Sequence, residues 1–76
     1  MIRIRPTHYR IQAKLFEKAG CEYVRTRGDH LIYRFPGAIR PVVIPMYDEV
    51  AVFVIRNNMR LIGMSTESYH QLLDSL

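Results

Sequence analysis

The sequence predicts a small α+β domain, a three-stranded antiparallel sheet with helices on one face in the order α-β-β-β-α-α. Three observations predict it. Apolar residues early in the chain recur at helical spacing and stop at a glycine; the middle is rich in Tyr, Val, Ile and Thr and is cut by Gly28-Asp29 and Pro36-Gly37; and the end returns to helical spacing behind a serine. No repeat, linker or low-complexity tract interrupts the 76 residues, so residues 1–76 are expected to form one domain.

The first helix is read from His8 to Ala19, with Thr7 as N-cap and Ile11, Leu15 and Ala19 on its apolar face. Phe16 flanks that stripe, Gln12, Lys14, Glu17 and Lys18 face solvent, and Gly20 is the left-handed stop. Cys21 to Arg27 then fits a strand, Gly28-Asp29 a hairpin turn, and His30 to Phe35 a second strand. Side chains alternate along a strand, so Leu31, Tyr33 and Phe35 share one face and His30, Ile32 and Arg34 the other. The bulkier set is expected in the core. After the Pro36-Gly37 turn, Arg40 to Ile44 makes a third strand, which Pro41 and Pro45 confine to an edge or to a short paired stretch.

Val50 to Ile55 has strand propensity, but Ile55, Met59 and Ile62 recur at helical spacing and Asp48-Glu49 supply acid where a helix begins. A helix from about Ala51 to Ile62, ended by Gly63, is therefore preferred. Ser65 caps a last helix with Glu67 in its first turn and Tyr69, Leu72, Leu73 and Leu76 as its packing face. A double-stranded-RNA-binding-like architecture has this element order. In it the second sheet face stays free, and that face would carry His30 and Arg34 with Arg25 or Arg27 at its edge.

Composition narrows the function classes. A chain this short buries only ~60% of the surface its unfolded form exposes, so a tight partner or a homo-oligomer would add stability by mass action. Eleven Lys and Arg against seven Asp and Glu leave a net charge of +4, and nine of the eleven cations are arginine. Guanidinium forks match phosphate, so the bias points to nucleic acid. Cys21 is the only cysteine, which excludes an intrachain disulfide and a thiolate cluster. His8, His30 and His70 fall on different elements without ligand spacing, so neither a metal site nor another cofactor is expected. No Ser-His-Asp elbow or glycine-rich phosphate loop occurs. Residues 1–6 have no apolar signal core, and the run Val50 to Ile55 is far shorter than the ~20 residues of a membrane helix. The reading is cytoplasmic, with no membrane partner.

The chemistry concentrates in Arg25-Thr26-Arg27-Gly28-Asp29-His30, where two guanidiniums, a turn glycine and an imidazole fall together. Taken alone, these residues also fit an ordinary hairpin with solvated arginines. The wider pattern adds to them: a helix ending Lys18-Ala19-Gly20, the strand Tyr23-Val24-Arg25, the Arg27-Gly28-Asp29-His30 turn, Val42-Val43-Ile44-Pro45, and the closing Met59-Arg60-Leu61-Ile62-Gly63-Met64-Ser65. In this order the chain resembles the HicA (YcfA-like) toxins, the mRNA interferases of type II toxin-antitoxin pairs. The resemblance implies a double-stranded-RNA-binding-like fold, ribosome-independent RNA cleavage and neutralisation by a HicB-like antitoxin. It also implies that His30 is the catalytic histidine. The family's Gly-Ser-His reads Gly28-Asp29-His30 here, and Pro45-Met46-Tyr47 stands where a second histidine often follows a proline.

Metal-free RNA cleavage needs a base for the ribose 2′-hydroxyl, an acid for the leaving 5′-oxygen and cations for the phosphorane charge. His30 can be base or acid. Arg25, Arg27, Arg34 and Arg40 are candidates for binding RNA phosphates, and Tyr33 or Tyr47 for a second proton donor or a stacking platform. Asp29 would orient His30, favour its protonated form, or repel RNA. The alternative from another class is a HicA-like protein that binds RNA or an antitoxin without cleaving.

Overall fold

In the computed structural model, which describes residues 3–76, the elements come in the expected order. They are α1 Tyr9–Lys18, β1 Glu22–Arg27, β2 His30–Arg34, β3 Val42–Pro45, α2 Val52–Leu61 and α3 Thr66–Asp74. The strands form one antiparallel meander with β2 in the centre, in the sheet order β1-β2-β3. Residues directly opposed across a ladder point to the same side. Leu31↔Ile44 and Tyr33↔Val42 therefore share one face, and His30↔Pro45 and Ile32↔Val43 share the other.

The first of these faces is the core. Tyr33, Val42 and Ile44 are buried against Leu15 and Phe16 of α1, Ile55 and Met59 of α2 and Tyr69 of α3. All the helices thus pack on this face, with α2 reaching past the β3 edge. Each fully buried Leu, Ile or Phe contributes roughly 1.5–3 kcal/mol. The buried residues of α1 are Gln12, Leu15 and Phe16, spaced i, i+3, i+4, so the helix is turned from the expected Ile11-Leu15-Ala19 stripe. Ile11 is 39% exposed. Gln12, expected in solvent, is buried because its amide Nε2 donates to the Tyr69 hydroxyl at 2.7 Å, a polar clasp between α1 and α3.

The starts of α1 and α2 depart from expectation for a common reason. Thr7 pairs with Val50 in an isolated antiparallel bridge, so its backbone is occupied with that crossing. His8 becomes the N-cap instead, its Nδ1 accepting from the Arg10 amide at 3.1 Å. Because Val50 is held in the same bridge, α2 starts only after Ala51, which offers no side-chain cap, and Asp48 and Glu49 fall outside its first turn. Ser65 caps α3 as expected, accepting from the Ser68 amide. Leu76 does not join the packing face, since the helix ends before it and it is 49% exposed.

The third strand lies at the sheet edge, as its prolines require. It runs Val42–Pro45 instead of Arg40 to Ile44, because the ladder begins only where Val42 meets Tyr33. The second strand likewise stops at Arg34, one residue short of the expected Phe35. At the open edge Asn58 of α2, itself buried, donates from Nδ2 to the Val43 carbonyl at 2.9 Å. That bond covers a backbone acceptor that would otherwise invite strand pairing. It also seats α2 along the rim of the sheet. Among the described residues no helix is long and apolar enough to cross a membrane.

Two outcomes follow from this core. Tyr69→Phe removes the acceptor of the buried Gln12 amide, and urea unfolding should show a loss of about 1–3 kcal/mol; an unchanged midpoint would mean that Gln12 finds another partner.

The second outcome concerns alkaline pH. Burial pushes the Cys21 thiol from 9.0 up to about 11. Burial, and then the hydrogen bond to and charge of Glu17, hold the Tyr33 phenol well above its ordinary 10.0. Both groups are neutral acids with raised folded pKa values, so the stability they confer is complete below the unfolded values and lost as pH rises towards the folded ones. The urea midpoint should hold steady up to about pH 9 and fall beyond it, and Tyr33→Phe should flatten the part of the fall above about pH 10.

Candidate functional site

The site grows from the β1-β2 hairpin. Arg27 pairs with His30, leaving Gly28 and Asp29 as a two-residue loop. Gly28 has φ +61° and, among the described residues, no non-glycine residue has positive φ. A left-handed first position followed by a normal second one is the pattern of a type II′ turn, which glycine enters without steric cost. The turn is also tied to the third strand, because the Asp29 carbonyl accepts from the Met46 amide at 2.7 Å. His30 is therefore held from both sides.

Asp29 and His30 form a close pair, with Oδ1 2.8 Å from Nδ1. A carboxylate has only acceptors, so Nδ1 must carry the hydrogen. In the neutral imidazole the lone pair then sits on Nε2, and the free nitrogen is the basic one. The His30 side chain is 43% exposed, so Nε2 is available to a ligand.

The arginines of β1 reach the same face through an irregularity. Tyr23 pairs with Tyr33, but the next pair is Arg25↔Ile32, which leaves Val24 as an extra residue. Strict alternation from Tyr23 would turn Arg25 and Arg27 towards the core side; the bulge shifts the parity. Arg25 now lies beside Ile32 and Arg27 beside His30, on the second face. Thr26 moves to the Tyr23 side, and their hydroxyls meet at 2.7 Å.

That second face is not the open plane expected from sequence. It forms the floor of a groove of about 890 Å³ whose far wall is α2, with His30, Val43, Pro45 and Tyr47 on one side and Phe53, Arg56 and Arg60 on the other. Arg40 also lines it. A smaller hollow of about 350 Å³ continues it past Val24, Arg25, Ile32 and Arg34. The large groove is lined by three arginines and a histidine and by no carboxylate. Its walls are otherwise apolar, amide or phenolic, so the field inside is positive and attracts an anion.

The structure brings together His30, Tyr47 and Arg40, with Arg25 and Arg27 on the adjoining strand. It separates Tyr33 from them. That residue is 2% exposed on the core face, where its hydroxyl donates to Glu17 at 2.5 Å, so it is neither a proton donor to the groove nor a stacking platform. Arg34 shares the second face, but its guanidinium is paired with Glu22 across the strands at 2.8 Å and its charge is partly spent there. His8 and His70 have local roles, one as the α1 cap and one bonded to the Thr66 carbonyl at 3.0 Å. Arg56, Arg60 and Phe53 were not singled out by sequence reasoning. Their signal was present in the i, i+3, i+7 spacing, a second stripe on α2 opposite Ile55, Asn58 and Met59.

Among the described residues no three His, Cys, Asp or Glu side chains cluster in a way that would hold a metal ion. The arrangement presents an oriented imidazole in a cationic, largely apolar groove. Comparison with curated proteins and with solved structures gives no match. The family model of the HicA toxin of bacterial toxin-antitoxin systems matches residues 10–64, a span from α1 through α2 that includes the hairpin turn and the residues that line the groove. The chain thus belongs to the HicA toxin family.

Proposed function

We propose that this toxin is a metal-independent endoribonuclease that cleaves mRNA in the groove beside His30, and that a HicB-like antitoxin neutralises it by covering that groove. The observation that carries the reading is His30, held by Asp29, in a groove lined by three arginines. Its substrate would place it in the cytoplasm.

In the proposed reaction Nε2 of His30 takes the proton of a ribose 2′-hydroxyl while Asp29 holds the ring through Nδ1. The 2′-oxygen attacks the adjoining phosphorus, the P–O5′ bond breaks, and a proton is delivered to the departing 5′-oxygen. The products are a 2′,3′-cyclic phosphate and a 5′-hydroxyl. Tyr47, half exposed in the groove, is the second proton donor. Arg25, Arg27 and Arg40 offset the charge on the phosphorane, with Arg34 contributing less because of Glu22.

A binding-only HicA-like protein is the second reading, favoured by one observation. The Asp29 carboxylate is 63% exposed beside His30 and repels an approaching phosphate. Incubation with unstructured RNA and EDTA separates the two. Fragments ending in cyclic phosphate or its hydrolysis product support cleavage, and gel shifts of RNA that stays intact support binding alone.

His30→Ala should lower the cleavage rate by about 10²–10⁴-fold, and His30→Gln, which keeps size but not proton transfer, should be nearly as inactive. The side chain lies outside the core cluster, so both variants should unfold at the wild-type temperature. Full cleavage by a folded His30→Ala variant would remove the histidine from the mechanism.

Arg27→Glu should weaken RNA binding, with little base preference, and reduce the salt slope by roughly 0.7 or more for each phosphate that the protein no longer neutralises. Unchanged affinity and slope in a salt titration would place the basic surface elsewhere.

A further inference from the structure

Phe53 is 76% exposed on the second residue of α2, in a stripe it shares with Arg56, Asn57 and Arg60. A large aromatic side chain left in water one turn before a guanidinium contributes little to folding, and α2 already buries its other face through Ile55, Asn58 and Met59. The stripe faces the same groove as His30 and Tyr47. An aromatic face with cations at helical spacing along one wall of an apolar floor is an arrangement that holds an unpaired nucleotide strand. Bases stack on the ring while arginines follow the phosphates.

We propose that α2 is the strand-positioning wall of the groove: Phe53 stacks on a base of single-stranded RNA next to the scissile phosphate, and Arg56 and Arg60 hold the backbone that leads to His30. This rests on the reading of the groove as an RNA site. It makes Phe53 a specificity residue, because a base must leave its duplex before it can lie on a side chain. Charge complementarity favours RNA over an apolar peptide, since the lining carries three arginines and no acid.

The test is fluorescence anisotropy with the full chain carrying His30→Ala, so that a short labelled single-stranded RNA stays intact. Adding Phe53→Ala should lower the affinity by about five- to hundredfold, and Phe53→Trp should keep it. The exposed position makes misfolding a separable cause, checked by an unchanged unfolding temperature. Abasic substitution at one RNA position should weaken binding to the His30→Ala chain but cause no further loss once Phe53→Ala is present. Arg56→Glu should reduce the salt slope.

Equal RNA affinity with and without Phe53, or tighter binding of duplex than of single strands, overturns the proposal. So does a Phe53→Ala effect confined to an acidic protein partner. Cleavage assays on the wild-type chain keep the two readings distinguishable. His30-dependent cleavage with no stacking effect overturns this inference alone, whereas stacking without His30 dependence supports it and overturns the catalytic role of His30.

Discussion

The two-sidedness of β2 is the constraint on which the rest of the molecule depends. Within five residues the central strand must supply Tyr33 to the core and His30 to the groove. Strand alternation makes this possible only in one register, since a slip of one residue would exchange the faces. The register is pinned at one end by the Gly28-Asp29 turn and at the other by Tyr33, whose phenol is buried and bonded to Glu17. Packing of the core and placement of the histidine are thus a single structural decision.

The neighbouring elements adapt to that decision. The β1 bulge at Val24 lets one side of the strand give Tyr23 to Tyr33, with ring centroids 5.8 Å apart, and the continuation give Arg25 and Arg27 to the opposite face. A regular strand could not do both. At the other edge Asn58 uses one hydrogen bond to seat α2 and to cover an open carbonyl of β3. The same placement leaves the outer stripe of α2 beside the sheet, which turns a flat face into a groove. A groove surrounds a strand of nucleic acid better than a plane does, because it meets phosphates and bases from two directions.

The electrostatics of this small domain are divided by location. Asp48 and Glu49 sit in the β3-α2 connection, with Asp48 3.6 Å from His8, and Glu22 pairs with Arg34. Asp29 is the acid placed at the turn itself, engaged with His30. The arginines at positions 40, 56 and 60 line the groove with no such partner among the groove residues. A net charge of +4 alone would not predict binding of a polyanion. The concentration of guanidiniums on one concave surface is what favours it.

Element order, the hairpin turn, the edge position of β3 and the Ser65 cap were legible in the sequence. Each depends on local chemistry: left-handed glycine, the missing amide of proline, a hydroxyl before a helix, and apolar spacing. Membership of His30 in the second sheet face followed from parity, which needs only the strand and its turn. Tertiary structure decided the rest. Gln12 entered the core because Tyr69, distant in sequence, offers it an acceptor, and Thr7 gave up its cap because Val50 took its backbone. Tyr33 left the candidate site because its face was claimed by the helices. The bulge that turned Arg25 and Arg27 towards His30 is not written in any residue of β1; it is where the pairing demands of Tyr33 and of the turn are both met. Arg56, Arg60 and Phe53 became groove residues only when α2 docked at the β3 edge, for a helix sequence determines which side chains share a stripe and long-range packing determines what that stripe faces.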